Sequence, residues 1–271
     1  MRSTLVKSLL NLSGIHAIIL QVRTSACDTL QKVGIANLIN KLLPGICVLC
    51  RFPSNTTLCE GCDADLPGIG EACSICGIPL DPLWAAVGQL SHESRCCGAC
   101  IRNPPPFEST VAALQYSFPV TVLVQGFKFR RNFACGTVLA EKLVQAAQKN
   151  LDDGRRLPDL LVPVPLHRAR QFLRVFNQAE VLAHELGKAL EVPVAANRLR
   201  RNRRTHPQPG LTAIERRKNI SGAFTARPMK ATHVGLVDDV MTTGSTITEC
   251  AKALRQVGVS SVSVWIAARA G

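Results

Sequence analysis

The stretch Val234-Gly-Leu-Val-Asp-Asp-Val-Met-Thr-Thr-Gly-Ser-Thr246 decides the fold. Its apolar first half predicts a buried strand of a parallel sheet, with Asp238 and Asp239 at the end of that strand. Residues 242–246, called the hydroxyl loop below, precede apolar residues at helical spacing. Helix N-termini attract anions, and open α/β sheets bind ligands at the carboxyl ends of their strands. The stretch therefore predicts a pocket for a sugar phosphate; a solvated turn and a plain helix cap are the alternative.

The surrounding sequence alternates between strand and helix patterns from about residue 111 onward. This alternation is typical of an α/β protein with an open, mostly parallel sheet flanked by helices. A chain of 271 residues with 46% hydrophobic residues has room for such a domain and a smaller module. The expected strands cover residues 111–116, 160–165 and 262–267, and the expected helices cover residues 137–148 and 177–190.

A basic segment follows the strand that ends at Pro165 and should face the same edge of the sheet as the acidic pair. Its arginines Arg168, Arg170 and Arg174 could neutralise a pyrophosphate, because guanidinium groups bind phosphate oxygens bidentately. The alternative is a solvated basic loop.

A second basic segment lies between residues 198 and 219 and contains Arg204 and Gln208. Its prolines and glycine predict a mobile segment. Such a segment could act as a lid that shields a bound ligand from water, and its basic residues would attract phosphates or a nucleic-acid backbone.

Ten of the 12 cysteines lie between Cys27 and Cys100, and eight of them form four C-x-x-C pairs. Two such pairs supply the four thiolates of a tetrahedral zinc site, so the eight predict two structural zinc ions. Sequential pairing is the simpler arrangement, interleaved pairing stays open, and Cys96 could replace Cys97. A disulfide framework would space its cysteines less regularly. The expected ligands are Cys47, Cys50, Cys59, Cys62, Cys73, Cys76, Cys97 and Cys100.

The formal net charge of +13 favours anionic partners such as phosphorylated substrates, nucleic acid or a membrane surface. No segment contains the ~20 consecutive apolar residues of a membrane span. The N-terminal apolar stretch is interrupted by polar residues, and the downstream thiols suit metal binding, so we expect a cytoplasmic protein without a signal peptide.

The segment Gly126-Phe-Lys-Phe-Arg-Arg-Asn-Phe133 alternates aromatic and basic residues. Such alternation suits a single-stranded nucleic acid, whose bases stack on aromatic rings while its phosphates contact the basic residues. A strand with buried phenylalanines and exposed basic residues is the preferred alternative, because aromatic residues make up only 4% of the chain.

Several motifs occur in an order that resembles one family. The opening stretch resembles the phosphoribosyl-pyrophosphate (PRPP) motif of the type I phosphoribosyltransferases. Four further motifs occur in order: Val-Pro-Val-Pro-Leu (162–166), Phe-Asn-Gln-Ala (176–179), Arg-Thr-x-Pro-Gln-x-Gly-Leu (204–211) and Glu-Arg-x-x-Asn-Ile-x-Gly-Ala-Phe (215–224). With these motifs and the N-terminal cysteine pairs, the chain resembles the ComF family of competence proteins, which includes GntX-type proteins, over about residues 38–269.

The resemblance implies roles for individual residues. Asp238 and Asp239 would orient the ribose through its hydroxyls as the catalytic pair, the hydroxyl loop would hold the 5′-phosphate, and Mg²⁺ would accompany PRPP. The expected PRPP-binding residues are Val237, Asp238, Asp239, Met241, Thr242, Thr243, Gly244, Ser245 and Thr246.

The resemblance also implies a function in DNA uptake during natural transformation, with PRPP, single-stranded DNA and other DNA-uptake proteins as partners. It leaves the phosphoribosyl acceptor and the oligomeric state open. Two alternatives remain: a non-catalytic single-stranded nucleic-acid-binding protein on the same fold, and a nucleobase-salvage phosphoribosyltransferase. The expected domains are an N-terminal extension (1–37), a double zinc ribbon (38–104) and a phosphoribosyltransferase-like domain (105–271).

One position departs from the family pattern. Val175 stands where the family usually has the glycine of Arg-Gly-Phe-Asn-Gln. Valine rarely adopts positive φ, so we expect a differently shaped pyrophosphate loop, which makes PRPP binding a firmer expectation than transfer.

Overall fold

The computed structural model describes residues 45–81, 95–166, 176–202 and 220–271. The chain divides into two compact units, the first formed by Met1–Cys47 and Arg51–Cys59 and the second by Val48–Cys50 and Glu60–Gly271. Within the described residues, no helix has the length and apolar character needed to cross a membrane. The N-terminal extension and the following predicted site residues lie outside the described residues: Arg168, Arg170, Arg174, Val175, Arg204 and Gln208.

The described part of the first unit is a short antiparallel hairpin. Strand β1 (Gly45–Ile46) pairs with strand β2 (Pro53–Ser54). The Cys47 N–H donates to the Phe52 carbonyl at 2.9 Å, and the Cys47 carbonyl accepts from the Arg51 N–H at 3.1 Å. These hydrogen bonds hold the first C-x-x-C pair in a tight turn.

The second unit contains the parallel sheet and most of the helices. Its chain order begins with two five-residue helices beside cysteines and continues through strands that alternate with longer helices. The elements are α1 (Glu60–Ala64), α2 (Gly98–Arg102), β3 (Ser109–Gln115), α3 (Val120–Phe129), α4 (Phe133–Asp152), β4 (Leu160–Pro163), α5 (Gln178–Leu190), β5 (Leu199–Arg201), β6 (Phe224–Ala226), β7 (His233–Met241), α6 (Ser245–Gln256) and β8 (Ser261–Arg269).

Four strands form one parallel sheet in the order β3-β8-β7-β4, which confirms the predicted α/β fold. The central strand β8 is buried along almost its whole length, as a strand covered on both faces must be. Helices α4 and α5 pack against the sheet. Helix α6 covers the opposite face, where Ile247 and Leu254 join Leu236 and Val264 in one core cluster. Strands β5 and β6 form a separate antiparallel pair.

The predicted strand through residues 126–133 is wrong, because these residues end one helix and begin the next. Leu123, Val124 and Phe127 are buried at helical spacing, whereas Phe129 is 67% exposed. The alternation of aromatic and basic residues thus arises at a helix–helix turn. The Asn132 side chain caps α4 by accepting a hydrogen bond from the Ala134 N–H at 3.1 Å.

Candidate functional site at the carboxyl edge of the sheet

The acidic pair lies inside β7, in contrast to its predicted position at the strand's end. Strand β7 continues to Met241 because its pairing with β8 continues that far. On the other side, β4 ends at Pro163, opposite Val237. In the described part of the chain, no strand therefore pairs with β7 alongside Asp238 and Asp239 on that side, and the pair lies at the carboxyl edge of the sheet.

Asp239 forms an ion pair with a lysine from α3. The Lys128 Nζ lies 2.9 Å from Asp239 Oδ1, and the two side chains are only 19% and 10% exposed. The same Oδ1 accepts a hydrogen bond from the Val240 N–H at 2.6 Å. The alternation of aromatic and basic residues predicted a strand around Lys128, which gives no indication of this contact. The helical spacing of Leu123 and Phe127 was the signal that could have revealed it.

Close helix packing fixes the part of α3 that carries Lys128. A Cβ on Gly136 would lie 2.5 Å from the Phe127 ring, and a Cβ on Gly126 would lie 2.7 Å from the Cys135 Sγ. Glycine at both positions lets α3 and α4 approach closely. Lys128 therefore reaches Asp239 from a rigid helix rather than from a loop.

Asp238 points to the other face of the sheet, since side chains alternate along a strand. Burial, and after it the charge of Asp239, raise the pKa of Asp238 to about 7 against the opposing positive charges of Lys128 and Arg201. Its Oδ1 accepts a hydrogen bond from the Asp239 N–H at 2.9 Å. The two neighbouring carboxyl groups therefore resist carrying full charge together in the absence of a ligand.

The hydroxyl loop leads directly from β7 into α6, as predicted. Thr242 and Thr243 are exposed, and Gly244 takes a left-handed conformation with φ of 73° as the N-cap residue. As a glycine, the N-cap residue has no side chain to cap α6, and the Thr243 and Ser245 hydroxyls lie 2.9 Å from each other. The uncapped N-terminus of a twelve-residue helix leaves backbone N–H groups available for an anion.

A buried amide lies at the start of α5. Asn177 caps this helix through the Ala179 N–H at 3.2 Å and donates to the Val164 carbonyl at 3.1 Å, next to the end of β4. The following residue, Gln178, is 1% exposed, and within the described residues neither of its amide atoms has a hydrogen-bond partner. A buried amide without a hydrogen-bond partner lowers the stability of the folded state, so a polar ligand that bonded to it would bind favourably there.

The eight predicted zinc ligands form two groups in the sequential pairing. Within each group the four Sγ atoms all lie within 4.8 Å of one another, and Cys97, not Cys96, belongs to the second. Cys96 instead lies 3.5 Å from the Ser74 hydroxyl. We call the groups the first cysteine cluster (Cys47, Cys50, Cys59, Cys62) and the second cysteine cluster (Cys73, Cys76, Cys97, Cys100).

The geometry of the clusters fits zinc. The Cys76 and Cys97 Sγ atoms are 3.7 Å apart, close to the ~3.8 Å that Zn–S bonds of about 2.3 Å give in a tetrahedron. The Cys97 N–H donates to the Cys73 Sγ at 3.2 Å, as suits a thiolate. The Cys76 hydrogen bond holds the pKa of Cys73 far below its ordinary value and raises that of Cys76. Both clusters are compatible with structural zinc ions.

No protein-family model matches the chain. Curated relatives do match it over most of its length. It is 34% identical over 236 residues to competence protein F of Haemophilus influenzae, which covers 83% of this chain and 96% of the relative. It is 34% identical over 232 residues to the DNA utilization protein YhgH of Salmonella typhimurium, covering 84% and 98%. Competence protein ComFC of Bacillus subtilis is 25% identical over 241 residues, covering 80% and 92%.

Proposed function

This chain belongs to the ComF family of competence proteins, and we propose that it is a PRPP-binding protein of the phosphoribosyltransferase class that serves DNA uptake. The names of its relatives, which refer to competence and to DNA utilization, support the role in DNA uptake. The observation that carries the PRPP assignment is the acidic pair, followed within one short loop by a helix N-terminus with a glycine N-cap, at the carboxyl edge of a parallel sheet.

The chemistry of the site matches the parts of PRPP. Asp238 and Asp239 accept hydrogen bonds from the ribose hydroxyls, and the backbone N–H groups of the hydroxyl loop donate to the 5′-phosphate. Lys128 provides a fixed positive charge beside Asp239, 2.9 Å away.

Transfer would displace pyrophosphate from the anomeric carbon. The carboxylate oxygens of the acidic pair suit a hard cation such as Mg²⁺, which would supply charge neutralisation on the departing pyrophosphate. The predicted pyrophosphate and lid contacts of Arg168, Arg170, Arg174, Arg204 and Gln208 stay part of this proposal. The two cysteine clusters would hold structural zinc that stabilises a region with little apolar core of its own.

Isothermal titration with PRPP and Mg²⁺ tests the pocket. We expect the variant Asp238→Asn/Asp239→Asn to lose affinity by about 30- to 100-fold, because both acceptors lose their charge and a hydrogen bond to a charged group is worth about 1–1.5 kcal/mol more than a neutral one. Asp159→Asn, at the opposite end of the sheet, is the matched control and should bind as the wild type does. Equal binding by the wild type and the double variant would refute the assignment of the acidic pair.

We propose that single-stranded DNA binds beside this site, at the turn between α3 and α4. Phe129 is 67% exposed and Phe133 is 56% exposed, and Arg130 and Arg131 between them are also exposed. The Phe133 ring lies 5.0 Å from that of Phe176, centroid to centroid. Exposed rings next to guanidinium groups allow bases to stack while phosphates meet positive charge.

Fluorescence anisotropy of a labelled oligothymidine tests this surface. We expect Phe129→Ala/Phe133→Ala to weaken binding by about 1–3 kcal/mol per stacked base, and Arg130→Gln/Arg131→Gln to lower the salt dependence of binding. The matched control is Arg156→Gln/Leu157→Ala, an exposed basic and apolar pair at the other end of the sheet. Undiminished affinity in both test variants would exclude this turn as the DNA-binding surface.

A further inference from the structure

We propose that Arg269 links the second cysteine cluster to the hydroxyl loop, so that the metal in the cluster and the phosphate in the loop strengthen each other's binding. The phosphate half of this proposal rests on the proposed function. The link itself rests on hydrogen bonds that the buried Arg269 guanidinium donates to a carbonyl of the second cysteine cluster and to a carbonyl of the hydroxyl loop, both within the second unit.

The first half of the link holds the hydroxyl loop. Arg269 is the last residue of β8 and is only 5% exposed. Its Nη1 donates to the Thr242 carbonyl at 2.6 Å and to the Met241 carbonyl at 3.3 Å. Because a peptide group is planar and trans, fixing the Thr242 carbonyl on the arginine turns the Thr243 N–H the opposite way. The arginine thus sets the direction of a donor in the loop that would hold the phosphate.

The second half of the link holds the Cys73/Cys76 pair of the second cysteine cluster. The Arg269 Nε donates to the Cys76 carbonyl at 2.8 Å. The same turn is fastened to β3, since the Thr110 hydroxyl donates to the Ile75 carbonyl at 2.6 Å and the Thr110 N–H donates to the Ser74 carbonyl at 3.2 Å. Gly77 has φ of 66°, and a Cβ there would lie 2.9 Å from Thr110 Cγ2, so the turn fits closely.

The charge of Arg269 adds a second reason for coupling. Across the part of the chain that the structure describes, no carboxylate forms an ion pair with this guanidinium; the acceptors it contacts are backbone carbonyls. A buried positive charge without a counter-ion is stabilised by any anion that binds nearby. A phosphate on the hydroxyl loop would provide that anion, so phosphate binding would hold Arg269, and with it the Cys76 carbonyl, more firmly in place.

A metal bound by the second cysteine cluster would fix the Cys76 backbone, including the carbonyl that receives Arg269. Coupling between two sites is reciprocal, so each ligand should raise the affinity for the other by the same factor. A loss of metal should therefore loosen the hydroxyl loop, and phosphate should slow the release of metal from this cluster alone.

Zinc release to a chromogenic chelator, with and without saturating PRPP and Mg²⁺, tests the coupling on the zinc-loaded full chain. We expect two release phases in the wild type, and we expect PRPP to slow one of them about 5-fold or more, the lower range of typical coupling. Arg269→Lys should reduce the PRPP effect to less than about 2-fold, because an ammonium group cannot reach the cluster and the loop together. Arg255→Lys is the matched control, since Arg255 also donates to a backbone carbonyl, that of Pro106, away from the loop.

The outcomes separate this proposal from the proposed function. If calorimetry shows PRPP binding and zinc release is unchanged by PRPP in the wild type, the coupling is wrong while the proposed function stands. If PRPP does not bind at all, the proposed function fails, and hydrogen exchange decides the coupling without any phosphate. We then expect faster exchange of the amides of residues 243–246 after zinc removal, and unchanged exchange there would overturn the link.

Zinc removal could also unfold the whole unit, which fast exchange at Val234 and Leu236 in β7 would reveal. In that case Thr110→Val replaces zinc removal, because it keeps all the cysteines and deletes the hydroxyl that fastens the Ile75 carbonyl. We expect faster exchange at residues 243–246 in this zinc-loaded variant while β7 stays protected. Equal exchange in Thr110→Val and wild type would overturn the proposal.

Discussion

The two ends of strands β4 and β7 carry carboxyl groups in opposite environments. At the amino end, Asp159 Oδ2 accepts hydrogen bonds from the Thr232 N–H at 2.8 Å, the Thr232 hydroxyl at 2.8 Å and the His233 N–H at 2.9 Å. The His233 and Thr232 donors lower the pKa of Asp159 to about 2. At the carboxyl end, burial and a neighbouring carboxylate raise the pKa of Asp238 to about 7.

The difference separates polar groups that the fold itself satisfies from those at the proposed ligand site. The amino end satisfies its polar atoms internally: His233 Nε2 and Trp265 Nε1 both lie 2.9 Å from the Ser263 hydroxyl. The carboxyl end keeps an uncapped helix and the amide of Gln178, which has no partner among the described residues. Polar groups left strained or unpaired in a folded protein are characteristic of sites that a ligand completes.

The largest effect should come from removing the charge that compensates Asp239. Lys128→Met leaves a nearly buried carboxylate without its partner, and we expect the free energy of unfolding to fall by about 3 kcal/mol. Urea denaturation at pH 7.5 measures this loss as a lower midpoint.

Two further variants serve as controls for the loss of stability in Lys128→Met. Lys252→Met breaks an exposed pair with Glu249, in which the lysine side chain is 55% exposed, and should cost less than about 1 kcal/mol. Lys128→Met/Asp239→Asn removes both charges and should be more stable than Lys128→Met alone. If Lys128→Met costs no more than Lys252→Met, the 2.9 Å pair does not compensate a buried charge.

An intermediate effect is expected at the amino end. Asp159→Ala removes three hydrogen bonds to a charged acceptor that lies near solvent, so we expect a loss of about 1–2 kcal/mol at pH 7. Because the pKa of Asp159 is lowered in the folded state, its contribution is present above pH 4 and disappears as the pH falls toward 2. Thermal melts between pH 3 and pH 7 measure the difference. PRPP affinity should stay at the wild-type value, and a change there would contradict a purely structural role.

The smallest effect concerns Asp238 and has the opposite sign. Because the pKa of Asp238 is raised in the folded state, its ionisation lowers the free energy of unfolding of the protein as the pH rises from about 4 through about 7. Asp238→Asn should therefore be more stable than the wild type at pH 8, by about 1 kcal/mol or a melting temperature about 3 °C higher. The two proteins should melt together near pH 3.5. A variant that is less stable at pH 8 would show that the carboxylate is not strained.

The sequence predicted the parts of this molecule that follow from local pattern. The apolar run before Asp238, the helical spacing from Ile247 to Leu254 and the helix expected over residues 177–190 all lie where expected, and the cysteine spacing predicted both clusters. Each of these features follows from the spacing of residues within a single segment of the chain.

The missed features depend on contacts between distant residues. Lys128 meets Asp239 only because α3 packs against α4 through Gly126 and Gly136. Nothing near Arg269 in the sequence indicates that its side chain reaches both Cys76 and Thr242. The acidic pair lies inside β7 because β8 continues beside it, and strand length is set by pairing rather than by composition.

The position of β8 also shapes how the chain folds. This strand follows all the others in sequence but lies between β3 and β7 in space. Glu108, just before β3, accepts a hydrogen bond from Ser261, 153 residues later. Strand β7, helix α6 and strand β8 follow one another in sequence and can assemble locally. Strand β3 pairs with β8, which is far away in sequence, and such long-range pairing slows folding. Until β8 arrives, β3 and β7 present unpaired edges, and a chain interrupted before residue 261 would be prone to associate with other copies through them.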